Sequence, residues 1–236
     1  MISARKISAI YSKNMKNIAR NPFIALAPIA VIAVSFLLTM NLPEYVTNYE
    51  VVGVLTMVVG LNAILTGITT MCVLIAEEKE KNTLNVLVTS TVSGLDFLTA
   101  HVLTTATITI VVNALVFVIV GAEGLNIGVF MLVTSIGTLA AITLGATLGI
   151  LAKNQAAAST MVSPFALALI IAPTFFPNTF FTDNVLYYAF TEQMNHALME
   201  IVVYDLNWSR VLILGANIAV FALIFAVCYK RRGLST

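Results

Sequence analysis

Charge is what this chain has least of. Asp, Glu, Lys and Arg together make up 10% of its 236 residues, and apolar residues make up 59%. A soluble domain carries about 25% charged and roughly 45–50% apolar residues. A soluble core of this size cannot hide so much apolar surface, so the solvent that suits the chain is lipid. The formal net charge of +1 gives no sign of a nucleic-acid partner, and none is expected.

Cysteine and histidine are nearly as scarce. Cys72 and Cys228 sit inside apolar runs, far apart and without CxxC spacing. They read as small buried hydrophobes rather than a disulfide or a metal site. His101 and His196 belong to no HExxH or Cys/His cluster, so no metal ligand and no catalytic residue is assigned. No GxxxxGK[ST] occurs, which excludes a phosphate-binding loop in this sequence. The chain is therefore not expected to be an enzyme, nor to bind a cofactor of its own.

Six segments are apolar over about the 20 residues that a spanning helix needs. They run approximately over 23–40, 51–76, 102–120, 127–152, 156–177 and 211–229. The first begins only after 22 residues and lacks a small-residue cleavage pattern, so it reads as a first transmembrane helix rather than a signal peptide. The expectation is an all-α polytopic membrane protein, one six-span domain over residues 1–236, without a fixed-period repeat. Basic residues fall at Arg5, Lys6, Lys13, Lys16, Arg20, Lys79, Lys81, Lys153, Lys230, Arg231 and Arg232, leaving only Arg210 on the other side. The positive-inside rule then places both termini in the cytoplasm, in an inner (cytoplasmic) cell membrane. The opposite side is net acidic, through Glu44, Glu50, Glu123, Asp183, Glu192, Glu200 and Asp205.

Within these boundaries no Asp, Glu, Lys or Arg lies deep in a span. Ion-coupled carriers keep such a group for the coupling ion, so energy for any transport has to come from elsewhere. The intramembrane polar groups are mild. Asn62, Thr66, Thr69 and Thr70 share one face of the second span, and suit either a translocation path or interhelical hydrogen bonding. Asn113 and Asn217 read as interhelical bonds. Gly137, Ala141, Gly145 and Gly149 recur every four residues, and Gly53, Gly60 and Gly67 every seven. Such ridges let helices approach closely, within a subunit or between subunits.

Two connecting regions and the N-terminal stretch carry pattern. Ile7, Ile10, Tyr11, Met15 and Ile18 recur at helical spacing with Arg5, Lys6, Lys13 and Lys16 mostly between them. That suits an amphipathic helix lying in the cytoplasmic interface. Residues 77–101 open on a charged cluster and continue with Leu84, Val86 and Leu87. Ser93 and Asp96 follow as a capping-box-like start for a helix entering the third span. Residues 184–208 place Leu186, Phe190, Met194, Leu198 and Ile201 or Val202 in a helical apolar stripe, broken by Glu192, His196, Glu200 and Asp205.

The cluster Glu77-Glu78-Lys79-Glu80-Lys81-Asn82-Thr83-Leu84, directly after the second of six spans, resembles the permease subunits of type-2 ABC transporters. In that family the segment runs Glu-Glu-Lys-Glu-Arg-Gly-Thr-Leu-Glu; here Lys81, Asn82 and Asn85 depart from it, as do Thr91 and His101 from the usual Pro and Lys further on. The resemblance implies that 77–88 forms a coupling helix docking on a cytoplasmic ABC ATPase dimer, through Glu77, Glu78, Lys79, Glu80, Thr83, Leu84 and Leu87. ATP and Mg would then be held by that ATPase, and a second permease copy or paralogue would complete the dimer. It also implies an interfacial N-terminal helix and short extracellular helices before the last span. The implied function is export of a peptide, drug, lipid or ion. A non-transporting immunity or sensor protein of the same fold is the alternative.

Overall fold

The structure, a computed structural model, describes residues 3–43, 47–81, 93–122, 125–176, 178–203 and 206–232. The expected features at Glu44, Thr83, Leu84, Leu87, Glu123, Pro177 and Asp205 lie outside the described residues. Among the described residues the chain is helical throughout, without strands.

Helix α1, Ala4–Arg20, turns by 68° into α2, Pro22–Met40. The bend follows from the Asn21–Pro22 pair: a residue before proline is pushed out of the helical region, and Asn21 is extended at φ −95°, ψ 103°. The second span is one helical rod over Asn48–Glu80. It comprises α3 (Asn48–Asn62), a π-helical turn (Ala63–Ile68) and α4 (Thr69–Glu80). A Thr47–Glu50 capping box starts it.

Helix α5, Gly94–Val120, starts on the Ser93–Asp96 capping box that the sequence predicts and ends at Gly121, whose φ of 65° favours glycine. Helix α6, Ile127–Leu151, is capped by Asn126, and α7, Gln155–Ala166, by Asn154. The α7 helix contains Pro164 and passes into a second π-helical turn, Leu167–Ile171, then α8, Ala172–Phe175. Proline removes one backbone donor, and local π adjustment is how apolar helices re-satisfy the freed carbonyls. Two short pieces, α9 (Phe180–Asn184) and a 3₁₀ turn (Leu186–Tyr188), lead to α10 (Phe190–Val203) and the last helix, α11 (Trp208–Arg232).

Among the described residues four helices are long and apolar enough to cross a membrane: Asn48–Glu80, Gly94–Val120, Ile127–Leu151 and Trp208–Arg231. The bent α1–α2 pair makes a fifth if it counts as one span. The helix over Gln155–Ile171 is apolar but shorter than these crossings. The chain is thus a multi-pass helical membrane protein; the first and fifth expected spans coincide with α2 and with the continuous helix from Gln155 to Phe175, which are shorter than the other four.

The small-residue ridge of α6 packs inside the subunit. A Cβ added at Gly145 would lie 2.5 Å from the Ile68 carbonyl oxygen, and one at Gly149 would lie 2.8 Å from that of Cys72. Backbone therefore meets backbone along the second span, which only glycine permits. Leu55, Ile64, Ile68, Met71 and Leu74 are fully buried around this seam.

Candidate functional site

The charged cluster sits where the second span ends. Consecutive helical residues point about 100° apart, so four charges in a row reach four directions. At Glu77–Glu80 each direction holds a different partner. Glu77 Oε2 accepts from Asn17 Nδ2 at 2.7 Å, and its other oxygen pairs with Lys81. Glu78 Oε1 pairs with Lys13 Nζ at 2.5 Å. Lys79 Nζ donates to the carbonyls of Ile150 and Ala152, each at 2.6 Å. Glu80 Oε2 accepts from the backbone N–H of Gln155 at 3.0 Å.

Helix ends explain the two outer choices. The C-terminus of α6 presents unpaired carbonyls and partial negative charge, which a lysine complements; the N-terminus of α7 presents free N–H groups, which a carboxylate complements. Lys79 and Glu80 thereby hold the α6–α7 hairpin, and Glu77 and Glu78 hold α1. Both of the latter carboxylates are buried, at 4% and 5% exposure. Removing the partner of a fully buried charge costs about 3–5 kcal/mol; Lys13 and Lys81 keep over half their side chains in contact with solvent, so the cost here is smaller. The bond to Glu77 holds the Lys81 ammonium above its usual range.

Helix α1 packs its stripe on this junction. Ile10 and Ile18 are buried and Ile7, Tyr11 and Met15 half-buried, while Arg5, Lys13, Lys16 and Arg20 are exposed. The Ser3 N–H donates to Asp96 Oδ1 at 2.8 Å, tying the start of α1 to the start of α5. Sequence reasoning missed Asn14 and Asn17, although two asparagines on the buried side of an amphipathic stripe are a readable signal. His101 is buried in the first turns of α5, its Nδ1 2.8 Å from the Phe97 carbonyl oxygen.

The polar face of the second span turns inward. Asn62 is fully buried and donates to the Thr109 carbonyl at 2.9 Å and to Asn113 Oδ1 at 2.7 Å. Thr66 and Thr70 are buried as well. Thr69 donates to the Ile64 carbonyl at 3.2 Å, five residues back across the π-helical turn. Asn62 thus faces α5, where Thr105, Thr109 and Asn113 are buried four residues apart, while Thr69 is half-buried. That spacing was present in the sequence beside Asn113.

At the opposite end, α10 buries the predicted stripe: Phe190, Met194 and Leu198 are at most 1% exposed. Arg210 fixes it to α11, donating to Glu200 Oε1 at 2.7 Å and to the Tyr187 hydroxyl at 2.7 Å. Between α3, the second π-helical turn and α10 lies a cleft of about 230 Å³ with Thr56, Thr191, Glu192 and Asn195 on its wall. Burial pushes the Glu192 carboxyl up and the His196 imidazole down, the latter helped by the Arg210 charge.

The model of the ABC-2 type transporter family matches residues 5–188 of the chain. The chain belongs to the ABC-2 type transporter family. No curated protein matches it. Members of this family are the non-catalytic membrane component of a transporter, and the family implies an ABC ATPase partner. The match includes α1, the charged cluster and the first five expected spans. It stops just before α10 and α11.

Proposed function

We propose that this ABC-2 chain is the permease subunit of an ATP-driven exporter, and that residues 77–88 couple it to a cytoplasmic ATPase. The observation that carries the reading is the wiring of Glu77–Glu80. A force applied beyond residue 81 reaches α1 through Glu77 and Glu78, and the α6–α7 hairpin through Lys79 and Glu80.

The reading gives the segment a division of labour. Thr83, Leu84 and Leu87 dock on the ATPase subunit, which holds ATP and Mg, whereas the four charges distribute the displacement. The buried Asn62–Thr70 face holds the second and third spans together rather than lining a path in the single subunit. Six crossings with both termini cytoplasmic follow from the basic residues gathering at one end. A second permease copy or paralogue completes the transmembrane unit.

Two variants test this in native membranes. Leu84→Asp should abolish co-purification of the ATPase subunit while membrane insertion stays intact. Glu78→Ala should keep the association and lower transport-coupled hydrolysis by about tenfold, the size of one lost charge-assisted bond. A wild-type complex that carries no nucleotide-binding subunit would overturn the proposal.

A further inference from the structure

The charged end of the bundle and the cleft at the other end treat their carboxylates differently. At the charged end, the carboxylates of Glu77, Glu78 and Glu80 all have partners. In the cleft at the other end they do not. Thr191 is 6% exposed, yet its hydroxyl has no hydrogen-bond partner among the described residues. The Asn195 Oδ1 is a second buried acceptor without a partner there. Glu192 keeps 20% of its side chain accessible and meets only His196, at 3.8 Å. Burial, helped by the Arg210 charge, holds that imidazole below its ordinary range, which disfavours its cationic form.

Glu192 reaches this cleft with a carboxylate, the unpartnered Thr191 hydroxyl and Asn195 amide oxygen lie buried in its wall, and the Thr56 hydroxyl is spent on the Gly53 carbonyl. No lysine or arginine lines it among the described residues, and Arg210, whose charge acts on His196, is engaged by Glu200 and Tyr187. Its remaining walls are apolar, from Met57, Leu61, Leu169 and Met199. An unpaired buried acceptor costs free energy, and a carboxylate against apolar walls asks for a cation that also carries apolar surface. Convergent acceptors in an apolar cleft are the usual composition of a small-molecule site.

We propose that the cleft between α3, the Leu167–Ile171 turn and α10 binds a small organic cation, a protonated amine with an apolar body. The ammonium sits on Glu192, the Thr191 and Asn195 side chains turn their buried oxygens to accept its N–H groups, and the body lies against Met57 and Leu169. This names a cargo class for the permease and rests on that reading.

Gly60 offers a clean test. It lines the cleft, and a Cβ added there would meet nothing within 4 Å. Gly60→Leu should therefore enter the cleft from a Cβ that clashes with nothing and fill the space beyond it. The probe is radiolabelled phenethylamine, protonated at neutral pH, with the full chain in lipid nanodiscs and 2-phenylethanol as the neutral competitor. Wild type should bind it saturably, with phenylethanol failing to displace it. Glu192→Gln should weaken binding at least about tenfold and Thr191→Val by about threefold. Gly60→Leu should abolish binding while keeping the wild-type melting temperature. Absence of saturable binding in wild type, equal displacement by phenylethanol, or retained affinity in Glu192→Gln or Gly60→Leu would each overturn the site. Charge-selective binding by a chain that carries no ATPase keeps the site and removes the exporter reading. A coupled ATPase complex without charge-selective binding does the reverse.

Discussion

The second span and the last span are equally at home in lipid by composition, and they occupy opposite places in the molecule. Their most apolar windows have mean hydropathies of 2.2 and 2.7, but 61% of the first is buried within the protein and only 6% of the second. Hydropathy reports the solvent a helix tolerates, and in a membrane both lipid and protein interior qualify. What separates the two spans is texture. The second carries Gly67 against Ala141 of α6, a buried asparagine and a charged end that binds three other elements. The last presents Leu212, Val220, Leu223, Ile224 and Val227 outward.

Paired glycines break this comparison hardest. Gly145→Leu drives a side chain into the Ile68 backbone, which cannot retreat as a side chain would. It should cost more than about 3 kcal/mol, seen as loss of a monodisperse species or a collapsed melting temperature in detergent. Gly215→Leu in the last span meets nothing within 4 Å and should stay within about 0.5 kcal/mol of wild type. Similar losses for both would mean that α11 is as enclosed as the second span.

A pair of asparagines gives a smaller contrast. Asn62→Ala removes a bond to Asn113 in a fully buried setting and leaves that amide unsatisfied. The expected loss is about 1–2 kcal/mol in an unfolding titration. Asn217→Ala removes bonds to the Tyr188 and Ile213 carbonyls, where Ile213 is its own helix's backbone. The loss should be below about 1 kcal/mol.

The smallest effect concerns α10, which packs on both spans. His196 is held below its ordinary value of 6.5 by burial first and by Arg210 second. As pH falls below that value, the unfolded chain takes up a proton that the folded chain refuses, so stability drops through the window between the ordinary and the depressed value. His196→Gln should therefore raise the melting temperature near about pH 5 relative to wild type and leave it unchanged near about pH 8. An identical pH slope in both proteins would show that the imidazole is not buried as described.

Much of the local structure was legible because it obeys local rules. The apolar stripes of α1 and α10 and the Ser93–Asp96 cap need only periodicity and spacing. The tight hairpin at Lys153 and Asn154 also stands in the sequence. The bounds of the first and fifth apolar segments agree with Pro22–Met40 and with the helix from Gln155 to Phe175, but their bends and internal winding were less legible. Asn21–Pro22 sets where α2 begins, and Pro164 is followed by a π-helical turn whose register hydropathy does not encode. The partners of Glu77–Glu80 were not legible at all. Their side chains point in four directions, and only the arrangement of neighbours decides which helix end each one meets. The glycine ridge of α6 was visible, but its target, the backbone of the second span, was not.

That ridge has a mechanical consequence. Where carbonyls of one rod rest directly against glycines of another, no layer of side chains exists to shear or compress. The second span and α6 should behave as a keyed shaft, turning together along the whole seam. Any flexure between them must then arise within a rod, and the second span contains one place already wound more loosely than the rest, the turn over Ala63–Ile68.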